Sequence, residues 1–472
     1  MPSADTLLAS AVQAAAAFRQ LDQAATDRIV EAVYLRALDA RVSLARMAVE
    51  ETGLGVLEDK VTKNLIATQL VYEDIRHERT VGVIASDACV GLQEVAQPVG
   101  PVLAYVPVTN PSSTTIFKIL IALKTRNPLI ISPPQAARRT CVAAAELCAE
   151  AARSAGAPEH AVQWLAKPSP RALDTLMADR RLALILATGT SRLVQKALQT
   201  GRPVLGVGPG NVPVYIGATA DVHFAVHGVM ASKLLDNGTV CASEQALVVK
   251  ESMRETVVTE FARHRAHVLA PDEVTAVGRV AYDAERATMA ATVVGQSAGQ
   301  IARSAGIDVP EGTRLLIAPL DGVGPDHPLS AEILAPILAL YVERDFDTAI
   351  ARCSEITRHG GRGHTAVIYS NDDERIEYFS RAVDAGRILV NVPATQGALG
   401  GMVTGLRPSF MLSCGPGGGN VTMDNITARH LLNIHRIARH RPAPQWAALD
   451  MDLVMDEEVD GAELARRYRA NF

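Results

Sequence analysis

The feature that most constrains this chain is a repeating cycle of short apolar run, polar loop and helix that begins at Gly100. Val102-Leu103-Ala104-Tyr105-Val106 reads as a strand, Pro107 to Ser113 as a loop, Thr114 to Leu123 as a helix, and Pro128 to Ser132 as the next strand. Ala136 to Ala155 is an Ala-rich helix stopped by Gly156, and Leu182 to Ala187 is another apolar run. Apolar runs without alternation suit strands buried on both faces, as in a parallel sheet covered by helices. The expected fold class is therefore α/β. Ligands bind such sheets beyond the carboxyl ends of the strands, which directs attention to the loops after Val106 and Ala187.

Downstream, Val204 to Ile216 carries Gly206-Val207-Gly208-Pro209-Gly210-Asn211 between two strand-like pieces. Further strands are expected at 246–249, 314–317, 337–342, 365–369 and 388–392, with helices at 251–264 and 347–357. Residues 5 to 78 read as helices, from apolar positions such as Ile29, Val33 and Leu38. Gly82 to Pro98 alternates apolar and polar residues like a hairpin arm, and such arms often pair with a second subunit. A length of 472 residues implies two or three domains.

Composition narrows the function classes. A net charge of -5, with no run of Lys or Arg beyond a pair, gives no electrostatic basis for binding nucleic acid or an anionic membrane. No apolar run is long enough to span a bilayer, and the Ala-rich stretch Leu7 to Phe18 lacks a basic flank, so neither a membrane segment nor a signal peptide is expected. The 6 cysteines are scattered, with no Cys-x-x-Cys pair and no Cys/His cluster at zinc-finger spacing. A reducing, cytoplasmic setting and no metal are expected.

Asp236-Asn237-Gly238-Thr239-Val240-Cys241 ends in a cysteine at the mouth of a strand, where a turn can leave the thiol facing a cleft. Its bland alternative is a buried thiol acting as a small hydrophobe. Thr188-Gly189-Thr190-Ser191 opens a helix whose N–H groups can meet a pyrophosphate, although the full G-x-G-x-x-G fingerprint is absent. The loop Gly206 to Asn211 is either a structural turn or a place where backbone approaches a flat ligand.

Taken together, these stretches resemble the CoA-acylating aldehyde dehydrogenases, especially the aldehyde dehydrogenase half of the bifunctional aldehyde/alcohol dehydrogenases. The resemblance is carried by Val106 to Lys118, Ala122 to Asn127, Ile185 to Gly189, Gly206 to Pro213, Asp236 to Gln245, Gly363-His364-Thr365, Arg387 to Asn391 and Leu431-Leu432-Asn433. These lie in the family's order from about Val49 to Arg439. The iron-dependent alcohol dehydrogenase half is not among the 472 residues.

The resemblance implies a Rossmann-type cofactor domain (1–233) with an oligomerisation arm near 82–98, an α/β catalytic domain (234–430), and a C-terminal segment (431–472) returning to the cofactor domain or the oligomer interface. A homo-oligomer is expected. The resemblance also implies that Cys241 is the nucleophile and that the Asn110 amide and the Cys241 N–H stabilise the oxyanion. It puts Thr109, Ser132, Gly189, Gly206, Gly208, Gly210 and Glu332 at NAD or NADP, with coenzyme A as co-substrate. His364 is a candidate for deprotonating the CoA thiol. Hydrolytic relatives place a glutamate in the Gly-rich loop; here no carboxylate lies between Arg202 and Ala220, which favours thiol transfer over release of the free acid. The hydrolytic reaction and a non-catalytic scaffold are the alternatives. Arg138 and Arg139 after the second strand, with no acid in Ser132–Arg139, leave NADP beside NAD. Pro416-Gly417 stands where the family usually has Ser-Trp, so acetaldehyde or an anionic aldehyde such as sulfoacetaldehyde is expected, with Arg407 as the anion's partner.

Overall fold

The computed structural model describes residues 3–440 and 450–470. Contacts divide it into one unit built from Met1–Thr80 and Pro98–Leu432 and a second from Val81–Gln97 and Asn433–Phe472. In the second unit, β1 (Gly82–Asp87) and β2 (Leu92–Pro98) form the expected antiparallel hairpin, with Gly82 opposite Ala96 and Asp87 opposite Leu92. The strand Leu432–Ala438 adds to β2 as the third strand of that sheet. The parts of the C-terminal segment at 441–449 and 471–472 lie outside the described residues.

The first unit opens with helices α1 (Ala4–Phe18), α2 (Gln23–Asp39), α3 (Arg41–Thr52), α4 (Leu57–Leu65) and α5 (Val71–Ile75). Ser3 and Asp22 cap the first two by accepting the N–H groups of Thr6 and Ala25. Next, β3 (Val102–Tyr105), β4 (Leu129–Ser132), β5 (Val162–Trp164), β6 (Leu184–Thr188) and β7 (Val204–Val207) make a parallel sheet in the order β5-β4-β3-β6-β7. The chain runs outward from β3 through β4 to β5 and returns to the other side of β3 for β6. The topological switch therefore falls between the carboxyl ends of β3 and β6, the place where open parallel sheets bind ligands.

A second parallel sheet contains β8 (Val212–Ile216), β9 (Glu244–Lys250) and β10 (Ala266–Val268). After a short hairpin, β11 (Tyr282–Asp283) with β12 (Thr288–Met289), it continues with β13 (Leu315–Pro319), β14 (Ile337–Glu343), β15 (Thr365–Tyr369) and β16 (Arg387–Val390). Its order is β10-β13-β14-β9-β8-β15-β16. Because β8 pairs with β9 and β15, the chain passes from the first sheet to the second at Gly208–Asn211. That short connection sets the carboxyl edge of the first sheet against the amino edge of the second.

The helix α6 (Pro111–Lys124) ties the unit together, and all its residues are buried. An all-buried helix has to satisfy its polar side chains internally. Ser112 Oγ donates to Asn64 Oδ1 (2.8 Å), Thr115 Oγ1 to Pro111 O (2.7 Å), and Lys124 Nζ to Asp27 Oδ1 (2.7 Å). Lys118 Nζ donates to Leu186 O (3.0 Å) and to Tyr105 O, bridging the strand ends on either side of the switch. No helix among the described residues is long and apolar enough to cross a membrane.

Phe117, fully buried on α6, meets Phe410 with ring centroids 6.2 Å apart. Phe117→Ala is expected to cost about 3–5 kcal/mol, seen as a lowered denaturation midpoint.

Candidate active site

The helices between β4 and Cys241 are α7 (Arg138–Ser154), α8 (Pro170–Ala178), α9 (Ser191–Leu198) and α10 (Val222–Lys233). Beyond α10, Asp236 (φ 52°), Asn237 (φ 53°) and Gly238 (φ 75°) are left-handed in succession. Asp, Asn and Gly tolerate that region where bulkier residues do not, which explains this tripeptide before the cysteine. The strained turn is held through the Asp236 carboxylate. Its Oδ2 accepts Lys60 Nζ (2.9 Å), Lys63 Nζ (2.6 Å) and Thr239 Oγ1 (2.7 Å), and its Oδ1 accepts Val56 N (2.7 Å). The Asp236 N–H donates to Asp59 Oδ2 (2.7 Å).

All three charged side chains of this clamp are buried, at 3% exposure for Lys60, 1% for Lys63 and 0% for Asp236. Burial alone would raise the Asp236 pKa, but Lys63 and Lys60 hold it below its ordinary value. Burial brings Lys63 down to about 8 against the pull of Asp236. Lys60 Nζ also donates to Thr109 O (3.2 Å), which joins the loop after β3 to the same cluster.

Cys241 lies at the amino end of β9, half-buried. Asn110, which starts α6, points its amide at this loop: Nδ2 donates to Thr109 Oγ1 (3.1 Å) and to Thr239 O (3.3 Å). Gly210 is required by close approach, since a Cβ there would stand 1.9 Å from Cys241 O. Its N–H donates to Glu332 Oε1 (2.8 Å), and Gly206 N–H donates to Asn420 Oδ1 (2.7 Å). His364 is fully buried; its Nδ1 pairs with Thr365 Oγ1 (3.0 Å), and its Cε1 lies 3.2 Å from where a Gly210 Cβ would be.

The local field holds the thiol neutral. Burial, then the carboxylate of Glu332 and the neighbouring Cys414, push Cys241 up to about 12, with Arg387 opposing. Burial raises Glu332 to about 7. Burial, with the Arg387 guanidinium beside it, holds His364 well below its ordinary value, so the imidazole is neutral at pH 7.

The sequence-predicted residues therefore fall on two facing edges. Thr109, Asn110, Ser132, Gly189 and Gly206 lie at or just beyond the carboxyl ends of β3, β4, β6 and β7, and Gly208 and Gly210 lie in the connection to β8. Cys241, Glu332 and His364 precede β9, β14 and β15 at the opposite edge. Asn110 Oδ1, Thr188 Oγ1 and His364 Nε2 are buried with no hydrogen-bond partner, which fits a site completed by polar ligand groups.

Two expectations change. Arg407 is no free anion partner, because its Nε and NH2 donate to Asp74 (2.7–3.0 Å) and its NH2 also pairs with Glu78 (2.5 Å). The segment after β4 does receive an acid, contributed from α3: Glu51 accepts the N–H groups of Arg139 and Thr140, each at 2.7 Å. Sequence reasoning missed Lys60, Lys63 and Arg387. Lys60 and Lys63 sit in a mixed-charge helix that carries no motif. Arg387 is a buried guanidinium that donates to Ser413 O (2.9 Å) and Met423 O (3.0 Å).

With a thiol at about 12, alkylation of Cys241 in the ligand-free protein should rise about tenfold per pH unit from pH 7 to 10. A plateau near the ordinary cysteine value, read by iodoacetamide kinetics with Cys241→Ala as background, contradicts this field.

The profile of the Aldehyde dehydrogenase family matches residues 2–428. The bifunctional aldehyde-alcohol dehydrogenase AdhE of Escherichia coli is 40% identical over 436 residues, covering 92% of this chain and 49% of that protein. The chain thus spans about half the length of the first such relatives. The sulfoacetaldehyde dehydrogenase (acylating) of Cupriavidus necator is 36% identical over 92% of this chain and 88% of its own. The crystal structure of an acetylating aldehyde dehydrogenase from Geobacillus thermoglucosidasius superposes with a TM-score of 0.90 at 41% identity, covering 93% of this chain and 97% of that one. Fold, cysteine loop and these similarities agree: the chain belongs to the aldehyde dehydrogenase family, in its acylating branch.

Proposed function

We propose that this protein oxidises a short aldehyde, acetaldehyde in the first instance, to its acyl-CoA with NAD+ as hydride acceptor, and runs in both directions. The observation that carries this reading is the position of Cys241 against a Gly206–Asn211 connection that holds no carboxylate. A water molecule at the acyl-cysteine would find no base in that loop, whereas a thiol exchanges with a thioester at little free-energy cost. NAD(P), when bound, supplies the hydride acceptor.

The chain's own groups do the rest. The Cys241 thiol loses its proton to bulk water and adds as the thiolate to the aldehyde carbon, and the Cys241 N–H and Asn110 Nδ2, released from Thr239 O, stabilise the oxyanion. Loss of hydride leaves the acyl group on Cys241. Neutral His364 takes the proton of the CoA thiol at its unpartnered Nε2, and attack by CoA returns Cys241 as thiolate. Thr109, Ser132, Gly189 and Gly208 would hold the cofactor, and Glu332, on leaving Gly210 N–H, would bind its ribose. Glu51 beside the segment after β4 favours NAD over a 2′-phosphate. Six free cysteines support a reducing, cytoplasmic setting, and the strand arm at 82–98 supports a homo-oligomer.

Reduction of nicotinamide with acetaldehyde should require CoA and vanish in Cys241→Ala. Asn110→Ala should lower kcat about 10²- to 10³-fold. Turnover without CoA that yields free acid overturns the acylating reading, and equal turnover with NADP overturns the role of Glu51. Sulfoacetaldehyde belongs in the same assay because a relative acts on it; preferential turnover of it would need an anion contact other than the neutralised Arg407.

A further inference from the structure

Away from the cysteine, α10 and the helix after β9, α11 (Arg254–Arg263), pack side by side. Each presents residues one turn apart toward the other. His223 and His227 are at i and i+4 on α10, and Glu260 lies at i with His264, the residue that ends α11, at i+4. His223 Nδ1 is 2.7 Å from Glu260 Oε1, and His264 Nε2 is 3.6 Å from the same oxygen. The ligand atoms of His223, Glu260 and His264 all lie within 4.8 Å of one another. The His264 ring centroid lies 6.2 Å from that of His223 and 6.0 Å from that of His227.

We propose that His223, His227, Glu260 and His264 form a binding site for a divalent transition-metal ion of the zinc or nickel class, which clasps α10 to α11. Imidazole nitrogens and one carboxylate oxygen are the donor set such ions prefer. Two imidazoles on a tetrahedral ion, at metal–nitrogen distances of about 2.0–2.1 Å, have ring centroids about 5 Å apart. The observed rings need to close by roughly an ångström, and the side chains that must turn are exposed at His223 and His227. The carboxylate is the fixed member: Glu260 is buried at 6% exposure, with Oε2 held by Arg263 NH1 at 2.7 Å, leaving Oε1 for an ion. Arg263 opposes the ion electrostatically, and the ionised Glu260 offsets that charge.

Without an ion, the cluster is a set of histidine–carboxylate contacts with the His227 ring packed edge-on to that of His264. The two pairs are far apart in sequence, so no zinc-finger spacing announces them. The consequence of binding is mechanical. Because α10 leads directly into the Asp236 turn, an ion that crosslinks it to α11 stabilises the helix pair from which the cysteine loop departs, without touching the chemistry.

The test uses the full chain, stripped with EDTA and desalted. Added Co2+ should bind at one equivalent per chain with visible d–d bands and no sulfur-to-cobalt charge transfer, and Zn2+ should displace it. Saturating Zn2+ should raise Tm by a few degrees. The double variant His227→Ala/His264→Ala should lose the bands and the Tm shift while keeping its circular dichroism, its Tm in EDTA and its aldehyde dehydrogenase turnover. No Co2+ bands in the wild type, bands retained in the double variant, or a thiolate charge-transfer band each overturn the proposal. His223→Ala with otherwise unchanged binding narrows the donor set and removes His223 from it.

Discussion

One buried carboxylate carries much of this site. Asp236 neutralises two lysines from α4, accepts the Val56 N–H, and sits in a left-handed turn that those contacts stabilise. Removing either sign of charge leaves the other buried without a partner, which is far more costly than an exposed ion pair is favourable. The cluster thereby makes the course of the chain into Cys241 depend on the N-terminal helices. Through Lys60 and Thr109 O it also fixes the loop that carries Asn110. Cys241 and Asn110 are positioned by the same charges.

The connection Gly208–Asn211 is the second constraint. It is short, so the carboxyl edge of one parallel sheet meets the amino edge of the other, and residues scattered from Thr109 to His364 converge. Gly210 in it is demanded by contact with Cys241 O, before any ligand is considered. The same crowding desolvates the Cys241 thiol and holds the His364 imidazole neutral in the ligand-free protein.

Much of the fold was legible. The apolar runs at 102–106, 129–132, 184–187 and 365–369 are strands because strands buried on both faces have to be apolar throughout. The hairpin at 82–98 showed itself by alternation. The three-residue strands β5 and β10 were not seen, since so short a run has no periodicity to read. Val212–Ile216 joins the second sheet although it reads like the neighbouring β7, and only pairing decides which sheet takes it.

By itself the sequence determined the α/β class, the family and the Asn-Gly turn before Cys241, because these reside in local pattern and in contiguous motifs. Only the tertiary structure decided which charges meet. Arg407 looked free in the chain and is neutralised by Asp74 and Glu78; the segment after β4 looked devoid of acid and receives Glu51; Lys60, Lys63 and Asp236 become one cluster; and two histidine-bearing helices bring His223, Glu260 and His264 together. Electrostatic partners are chosen by distance in space, and sequence spacing carries no record of distance between elements that pack far apart along the chain.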